Sequence, residues 1–293
     1  MIVILTVLVV VLLLILIGIS VCGSLEITSI PYLAVPYTPK DFGCRYEDVH
    51  FQSFDGLRLT GWFIPADRPS PVTIIVQHGV GSNAGDMLLN SICLRNGGSW
   101  NLFYYNFRGH ADSQGSWTSL GPLEERDMES AVAFLRETKT ESCRRLGVYG
   151  HSLGAAVAIV GASRMPEIEA VALESPFSYI WKTVKHFAWV FYGIPYIPFM
   201  PLALLFTSLR LRMPIGTFAP AEAIGKISPR PVYLMHAERD LRIPLSDHEE
   251  LWAAAKEPKE RWVVPGADHG EPWVVAKEEY EKRLVDFFQR RFA

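Results

Sequence analysis

From Ile2 to Cys22 the chain carries no charged residue, and only Thr6 and Ser20 are clearly polar. About 20 such residues in a helix span roughly 30 Å, the hydrocarbon thickness of a bilayer. The pattern therefore predicts a transmembrane anchor over residues 1–23. A cleaved signal peptide is the rival reading, and the small residues Cys22-Gly23-Ser24 suit a cleavage site. Against it, the apolar run exceeds the usual stretch of about 7–15 residues and no Lys or Arg precedes it. Pro31, Pro36 and Pro39 then mark residues 24–43 as an extended linker. The N-terminal flank has no charge and the first basic residue after the span is Lys40, so the side of the membrane is not readable.

Past Cys44 the pattern changes to short apolar segments alternating with amphipathic ones. Tyr46 to Phe54 and Leu57 to Ile64 flank Asp55-Gly56, a hairpin signal. Buried strands are expected at Val72–Val76, Asn101–Phe107, Arg145–Tyr149, Ala170–Leu173, Pro231–Met235 and Trp262–Val264. Helices are expected at Ala84–Arg95, Pro122–Thr138, Leu153–Arg164, Ser246–Lys256 and Ala276–Arg290. In Pro122–Thr138, Met128, Val132 and Leu135 share one face and Glu and Arg the other. Strand–helix alternation with apolar strands implies an α/β domain over residues 44–293, its eight-stranded sheet mostly parallel and covered by helices on both faces.

Residues 177–226 break the rhythm. Some 50 residues lie between two sheet strands, rich in Trp, Phe, Tyr, Leu and Ile, with Pro195, Pro198 and Pro201 dividing them into at least two helices. Three readings apply: a helical layer on the sheet, a helical lid that covers a site and dips into the bilayer next to the anchor, or a second membrane span. The prolines clustered mid-segment count against the span.

Composition narrows the function classes. The 293 residues suit one large α/β domain, and the formal net charge of −3 with no basic cluster gives nucleic-acid binding no electrostatic support. Cys22, Cys44, Cys93 and Cys143 are far apart and read as structural or inert thiols. No Cys/His grouping has metal-ligand spacing, and neither a metal nor a cofactor is expected.

The chemistry centres on Gly150-His151-Ser152-Leu153-Gly154, between a buried strand and a small-residue helix. A side chain at Gly150 or Gly154 would collide with the neighbouring strand or helix in so tight a turn. A serine hydroxyl is a poor nucleophile near neutral pH and needs a base, itself oriented by an acid. In a doubly wound sheet such groups sit on loops at the carboxyl ends of strands. The loop Pro265–Gly270 offers His269 as base, and the loop His236–Pro244 offers Asp240 as acid. Glu238 and Glu174 are the rival acids, while Asp268 adjoins His269 and points away from it in an extended loop. His78 and His151 read as loop scaffold and His236 as structural; His50, His110, His186 and His248 have no evident partner.

These motifs, with His78-Gly79 after the third strand, Arg108-Gly109-His110 after the fourth, Ile243-Pro244, and Gly266-Ala267-Asp268-His269, resemble the α/β-hydrolase-fold serine hydrolases. The similarity is closest to the membrane-anchored Bem46-like and prolyl-oligopeptidase-like groups, and it covers residues 44 to 293. It implies Ser152 as nucleophile, His269 as general base and then acid, Asp240 as orienting carboxylate, and the backbone N–H groups of Val80 and Leu153 as oxyanion hole. Relatives often have Asp at Asn106 and Gly at Ala111; both departures lie outside the triad.

The expected activity is hydrolysis of an ester, thioester or amide through an acyl-enzyme, the anchor and aromatic insertion favouring a lipid-like acyl substrate. An oligopeptidase or aminopeptidase is the enzymatic alternative, and a noncatalytic membrane-tethered binding protein on the same fold the other. Oligomeric state is not legible.

Overall fold

The computed structural model describes residues 1–292. In chain order the elements are α1 (Ile2–Thr28), β1 (Glu47–Gln52), β2 (Arg58–Ile64), β3 (Val72–Gln77), α2 (Ala84–Ser91), α3 (Cys93–Gly98), β4 (Asn101–Tyr105), α4 (Pro122–Thr138), β5 (Arg145–His151), α5 (Leu153–Arg164) and β6 (Ile168–Glu174). There follow α6 (Ile180–Tyr192), α7 (Tyr196–Leu211), α8 (Pro220–Ala223), β7 (Val232–Ala237), α9 (Leu245–Ala254), β8 (Lys259–Val264), α10 (Pro272–Val275) and α11 (Lys277–Phe292).

The eight strands form one sheet in the order β1-β2-β4-β3-β5-β6-β7-β8. β2 runs antiparallel to β1 and to β4, and every pairing from β4 to β8 is parallel. The sheet is therefore the mostly parallel eight-stranded one expected. The Asp55-Gly56 hairpin is present, with Gly56 at φ 85° and its N–H donating to Ser53 O at 2.9 Å. From β3 the chain adds β4 on one side and then crosses to add β5 on the other. The carboxyl ends of β3 and β5 therefore flank the point where the strand order reverses, where open α/β sheets form their crevice.

Alternation along the strands feeds two cores. In β5, Leu146 and Val148 pack against α4 and α5, while Tyr149 joins the face covered by α2, α3 and α11. The helix expected over Ala84–Arg95 comes as two, α2 and α3, meeting at Ile92. The last strand starts at Lys259, three residues before its apolar end at Trp262.

The N-terminal boundary needs correcting. α1 does not stop at Gly23 but runs to Thr28, so the extended linker begins at Ser29 rather than Ser24. Ser20, Ser24 and Thr28 are buried against α7, and the helix ends only where Pro31 disfavours helical φ/ψ at the residue before it. The linker is not free: Thr28 O accepts from Thr118 N at 3.1 Å, Pro31 lies against Gly81, and Ala34 O accepts from Asn83 Nδ2 at 3.4 Å. It crosses the loops that follow β3 and β4.

Residues 177–226 fold as α6, α7, α8 and two single 3-10 turns. Ile197, the residue before Pro198, stays extended (φ −95°, ψ 134°), so the helical path of α7 starts after it. Pro201 is tolerated because it then falls in the first turn, where backbone N–H groups have no intrahelical partner.

Candidate active site

Ser152 sits between the end of β5 and the start of α5 at φ 54°, ψ −116°, a conformation non-glycine residues rarely adopt. The strain is held from both sides. Ser152 N donates to Glu174 O at 2.8 Å, and its carbonyl accepts from Ala156 N at 3.1 Å. The flanking glycines are steric requirements. A Cβ on Gly150 would fall 2.4 Å from Gly154 O, and one on Gly154 would fall 2.4 Å from Gln77 O in β3.

The two downstream loops meet this turn. His269 Nε2 lies 3.1 Å from Ser152 Oγ, and His269 Nδ1 lies 2.7 Å from Asp240 Oδ2. With Nδ1–H donating to the carboxylate, Nε2 presents its lone pair to the serine hydroxyl. Asp240 is itself fixed, its Oδ1 accepting from Arg242 N at 3.0 Å and Ile243 N at 2.8 Å. Burial alone would raise its pKa. The hydrogen bond and charge of His269, with the Ile243 N–H, outweigh burial and hold it below the ordinary carboxylate value. Arg239 N donates to Ala267 O at 2.8 Å, so the acid loop and the base loop are one ladder-like unit.

The rival carboxylates are engaged elsewhere. Glu238 Oε2 accepts from Gly266 N at 2.8 Å, Asp268 Oδ1 accepts from Leu241 N at 3.0 Å and His269 N at 2.7 Å, and Glu174 Oε2 accepts from the Tyr149 and Tyr280 hydroxyls, both at 2.6 Å. None of these oxygens contacts the His269 ring.

Val80 follows Gly79, whose Cβ position would lie 3.0 Å from Ser152 Cβ and 3.5 Å from Ser152 Oγ, so the loop after β3 runs beside the serine. Leu153 is the first residue of α5, so its N–H is one of those a helix leaves without an intrahelical acceptor. The loop that carries Val80 and the first N–H of α5 thus lie beside Ser152.

The surrounding histidines divide by role. His78 Nδ1 donates to Gly79 O at 2.7 Å and its Nε2 accepts from Phe107 N at 3.0 Å, tying the β3 loop to the β4 loop. His110 Nδ1 donates to Arg108 O at 2.9 Å, leaving Nε2 to face Gly81 N at 3.4 Å. His236 Nε2 donates to Ile243 O at 2.9 Å. His186, without a partner at the level of sequence, donates from Nε2 to Leu241 O at 2.9 Å and so fastens α6 to the acid loop. His151 makes no hydrogen bond through Nε2, which lies 3.9 Å from Glu174 Oε1, and its ring centre is 5.0 Å from that of His269.

Burial lowers the pKa of His78 and His236, that of His151 to about 4 and that of His248 to about 3. Each lies below the unfolded histidine value of about 6.5, so below that pH the unfolded chain binds more protons. Stability is therefore complete above about pH 6.5 and declines as pH falls below it, His151 and His248 each contributing a slope that approaches about 1.4 kcal/mol per pH unit before their folded values are reached. Urea midpoints measured from pH 7 to pH 4.5 are expected to fall steadily, with at least two protons taken up on unfolding; a flat profile contradicts the buried neutral rings.

Asn106 and Ala111 also have structural accounts. Asn106 Oδ1 accepts from Ala84 N at 2.8 Å at the start of α2, an acceptor role open to Asn and Asp alike. Ala111 sits at φ 45°, where glycine is easier to place. A surface cavity of about 350 Å³ lined by Val35, Asp48, His50, Arg58 and Trp62 lies between linker and hairpin and includes no member of the Ser152 cluster.

A family model described as X-Pro dipeptidyl-peptidase (S15 family) matches residues 89–204. YfhR of Escherichia coli K12, an uncharacterized protein, is 30% identical over 253 residues, which is 82% of this chain and 80% of that one. The α/β hydrolase domain-containing protein WAV2 of Arabidopsis thaliana is 32% identical over 149 residues, 50% of this chain and 47% of its own. The crystal structure of the Pyrococcus furiosus esterase Pf2001 superposes with a TM-score of 0.75 at 29% identity, covering 90% of this chain and all (100%) of that one. Alike to YfhR over most of its length and to an esterase in fold, the chain belongs to the α/β-hydrolase-fold serine hydrolases.

Proposed function

We propose that the protein is a membrane-anchored serine hydrolase that cleaves a lipophilic carboxylic ester through an acyl-enzyme on Ser152. The observation that carries this reading is the continuous relay Ser152 Oγ–His269 Nε2 (3.1 Å) and His269 Nδ1–Asp240 Oδ2 (2.7 Å), with the Val80 loop and the α5 N-terminus beside the serine. In the first half-reaction Ser152 Oγ attacks the carbonyl carbon as His269 Nε2 takes the hydroxyl proton. The carbonyl oxygen gains the negative charge and is met by the N–H groups of Val80 and Leu153. Collapse expels the alcohol, which leaves with the proton from His269. Water then repeats the sequence on the acyl carbon, His269 taking its proton and returning it to Ser152, and the free acid departs.

Two features support the anchor and the apolar substrate. α1 is long and apolar enough to cross a membrane, and the insertion fastened to the acid loop by His186 exposes Trp189, Phe191 and Ile197. The insertion serves as a lid over the site. With p-nitrophenyl esters, kcat/KM is expected to rise at least tenfold from acetate to octanoate, each added buried methylene contributing up to about 0.8 kcal/mol. A preference for acetate contradicts the lipophilic reading. The S15 match over residues 89–204 favours a peptidase as second reading. Faster turnover of X-Pro-p-nitroanilide peptides than of any ester in the panel would establish it instead.

A further inference from the structure

α1 is docked, not merely attached. Ser20 Oγ donates to Phe199 O at 3.2 Å, Thr207 Oγ1 donates to Ser24 Oγ at 3.0 Å, and Arg210 Nη2 donates to Ser24 O at 2.7 Å and to Thr28 Oγ1 at 2.5 Å. At Gly23 the helices approach closely enough that a Cβ would lie 3.3 Å from Ala203 Cβ. Small side chains with hydrogen-bonding hydroxyls are how helices pack inside a bilayer. The two helices run side by side in the same direction, residue 199 beside 20 and residue 210 beside 28.

This docking fixes the depth of the lid. The charge-free run of α1 extends from Ile2 to Leu25. A span needs about 20 residues, and every window of that length inside the run contains Ser20. Phe199, bonded to Ser20, is therefore carried to hydrocarbon depth by α1. Glu26, the first charge on α1, accepts from the Tyr192 hydroxyl at 2.8 Å. It lies six residues, roughly 9 Å, toward the domain from Ser20. The lid composition follows the same boundary. Residues 187–209 contain no charged side chain, and Arg210 sits at the level of Ser24 and Thr28. Between these limits Trp189 is 64% exposed and Ile197 74% exposed, with Phe191, Tyr192, Leu205 and Leu209 also open.

We propose that the lid is a second membrane-inserted element: the turn from Trp189 to Phe199 and the outer face of α7 lie in the leaflet against α1, and the site takes an ester that resides in that leaflet. The proposal rests on the reading of α1 as a retained anchor. Its occupant is lipid, because the apolar face is continuous with α1 and stops where α1 meets its first charge. Tyr192 and Tyr32 then lie near the interface, where aromatic residues that are part apolar and part polar are favoured. The His186–Leu241 bond carries the same placement to the acid loop one residue from Asp240, so the triad faces the membrane surface.

The test uses the full chain in phosphatidylcholine vesicles. Ile197→Cys is labelled with an environment-sensitive fluorophore in a Cys22→Ser background; burial raises the Cys93 thiol to about 12, which keeps it unreactive. Glu141→Cys, on the loop at the opposite end of β5, is the aqueous control. The label at 197 is expected to shift to the blue and to be quenched at least twofold by spin-labelled lipid, with no quenching at 141. Equal behaviour at the two positions overturns the proposal, as does crosslinking of 197 to 197 without lipid quenching, which assigns the face to a second copy. In a second arm, Trp189→Glu with Ile197→Glu should lower hydrolysis of a vesicle-embedded palmitoyl ester at least tenfold and leave soluble p-nitrophenyl acetate unchanged; equal loss on both overturns it. The quenching arm needs no catalysis. Quenching at 197 in a chain that no serine-directed probe labels would reject the hydrolase reading and leave the membrane contact standing.

Discussion

Ser152→Ala is expected to lower kcat by about 10⁴–10⁶-fold and to abolish labelling by a fluorophosphonate probe. The size follows from the arrangement of the group. Removing the nucleophile of a serine triad costs nearly as much as removing the triad, because base and acid act only through it. What remains is binding and the backbone donors beside residue 152. The variant should fold as the parent does. Ser152 Oγ has the His269 ring as its hydrogen-bond partner, and alanine meets the same backbone penalty at φ 54° that serine meets. Asp240→Asn should lower kcat by about 10³–10⁴-fold, since an amide in place of the carboxylate no longer imposes the Nδ1–H tautomer on His269. Circular dichroism and an unchanged urea midpoint separate these losses from unfolding. Equal probe labelling of wild type and Ser152→Ala would remove Ser152 from the chemistry.

The elbow was legible in the sequence because its geometry leaves so few choices. Glycine at 150 and 154 is forced by backbone oxygens 2.4 Å from where a Cβ would stand, and local spacing records such a constraint directly. The partners were legible because a parallel sheet delivers the ends of its strands to one edge, so Asp240 and His269 needed only to follow the right strands. What was not legible depends on contacts with no local signature. Ser24 and Cys22 read as small residues closing an apolar segment, yet Ser24 is part of the face that meets Thr207, 183 positions away. The helix therefore continued where composition suggested an end. The His186 bond to Leu241 spans 55 positions and hides in the same way, as does the route of the linker over the loops after β3 and β4. Arg108 carried a signal, as part of Arg108-Gly109-His110, but what it holds together is visible only in three dimensions.

That residue gives the largest expected effect on stability. Arg108 is 1% exposed and Asp127, on α4, is fully buried; Nη2 reaches Asp127 Oδ1 at 2.7 Å and Nε reaches Oδ2 at 2.8 Å, a paired-donor geometry that only a guanidinium provides. The same guanidinium donates to Asp55 Oδ2 at 2.9 Å and to Ser53 Oγ at 3.0 Å at the tip of the hairpin. Burial works against its charge, yet Asp127 and Asp55 raise its pKa above the ordinary guanidinium value. One side chain thus joins the β1–β2 hairpin, the loop after β4 and helix α4. Arg108→Met keeps much of the volume and leaves the Asp127 carboxylate buried without its cation, which should cost about 3–5 kcal/mol. Asp127→Asn keeps the shape and one acceptor and should cost less. If the pair acts as a unit, Arg108→Met combined with Asp127→Leu recovers part of the loss, because no buried charge is left over. Urea unfolding of wild type, Arg108→Met, Asp127→Leu and the double variant under one set of conditions measures the coupling. A double variant no more stable than Arg108→Met would mean that Ser53 and Asp55, rather than Asp127, carry the role of Arg108.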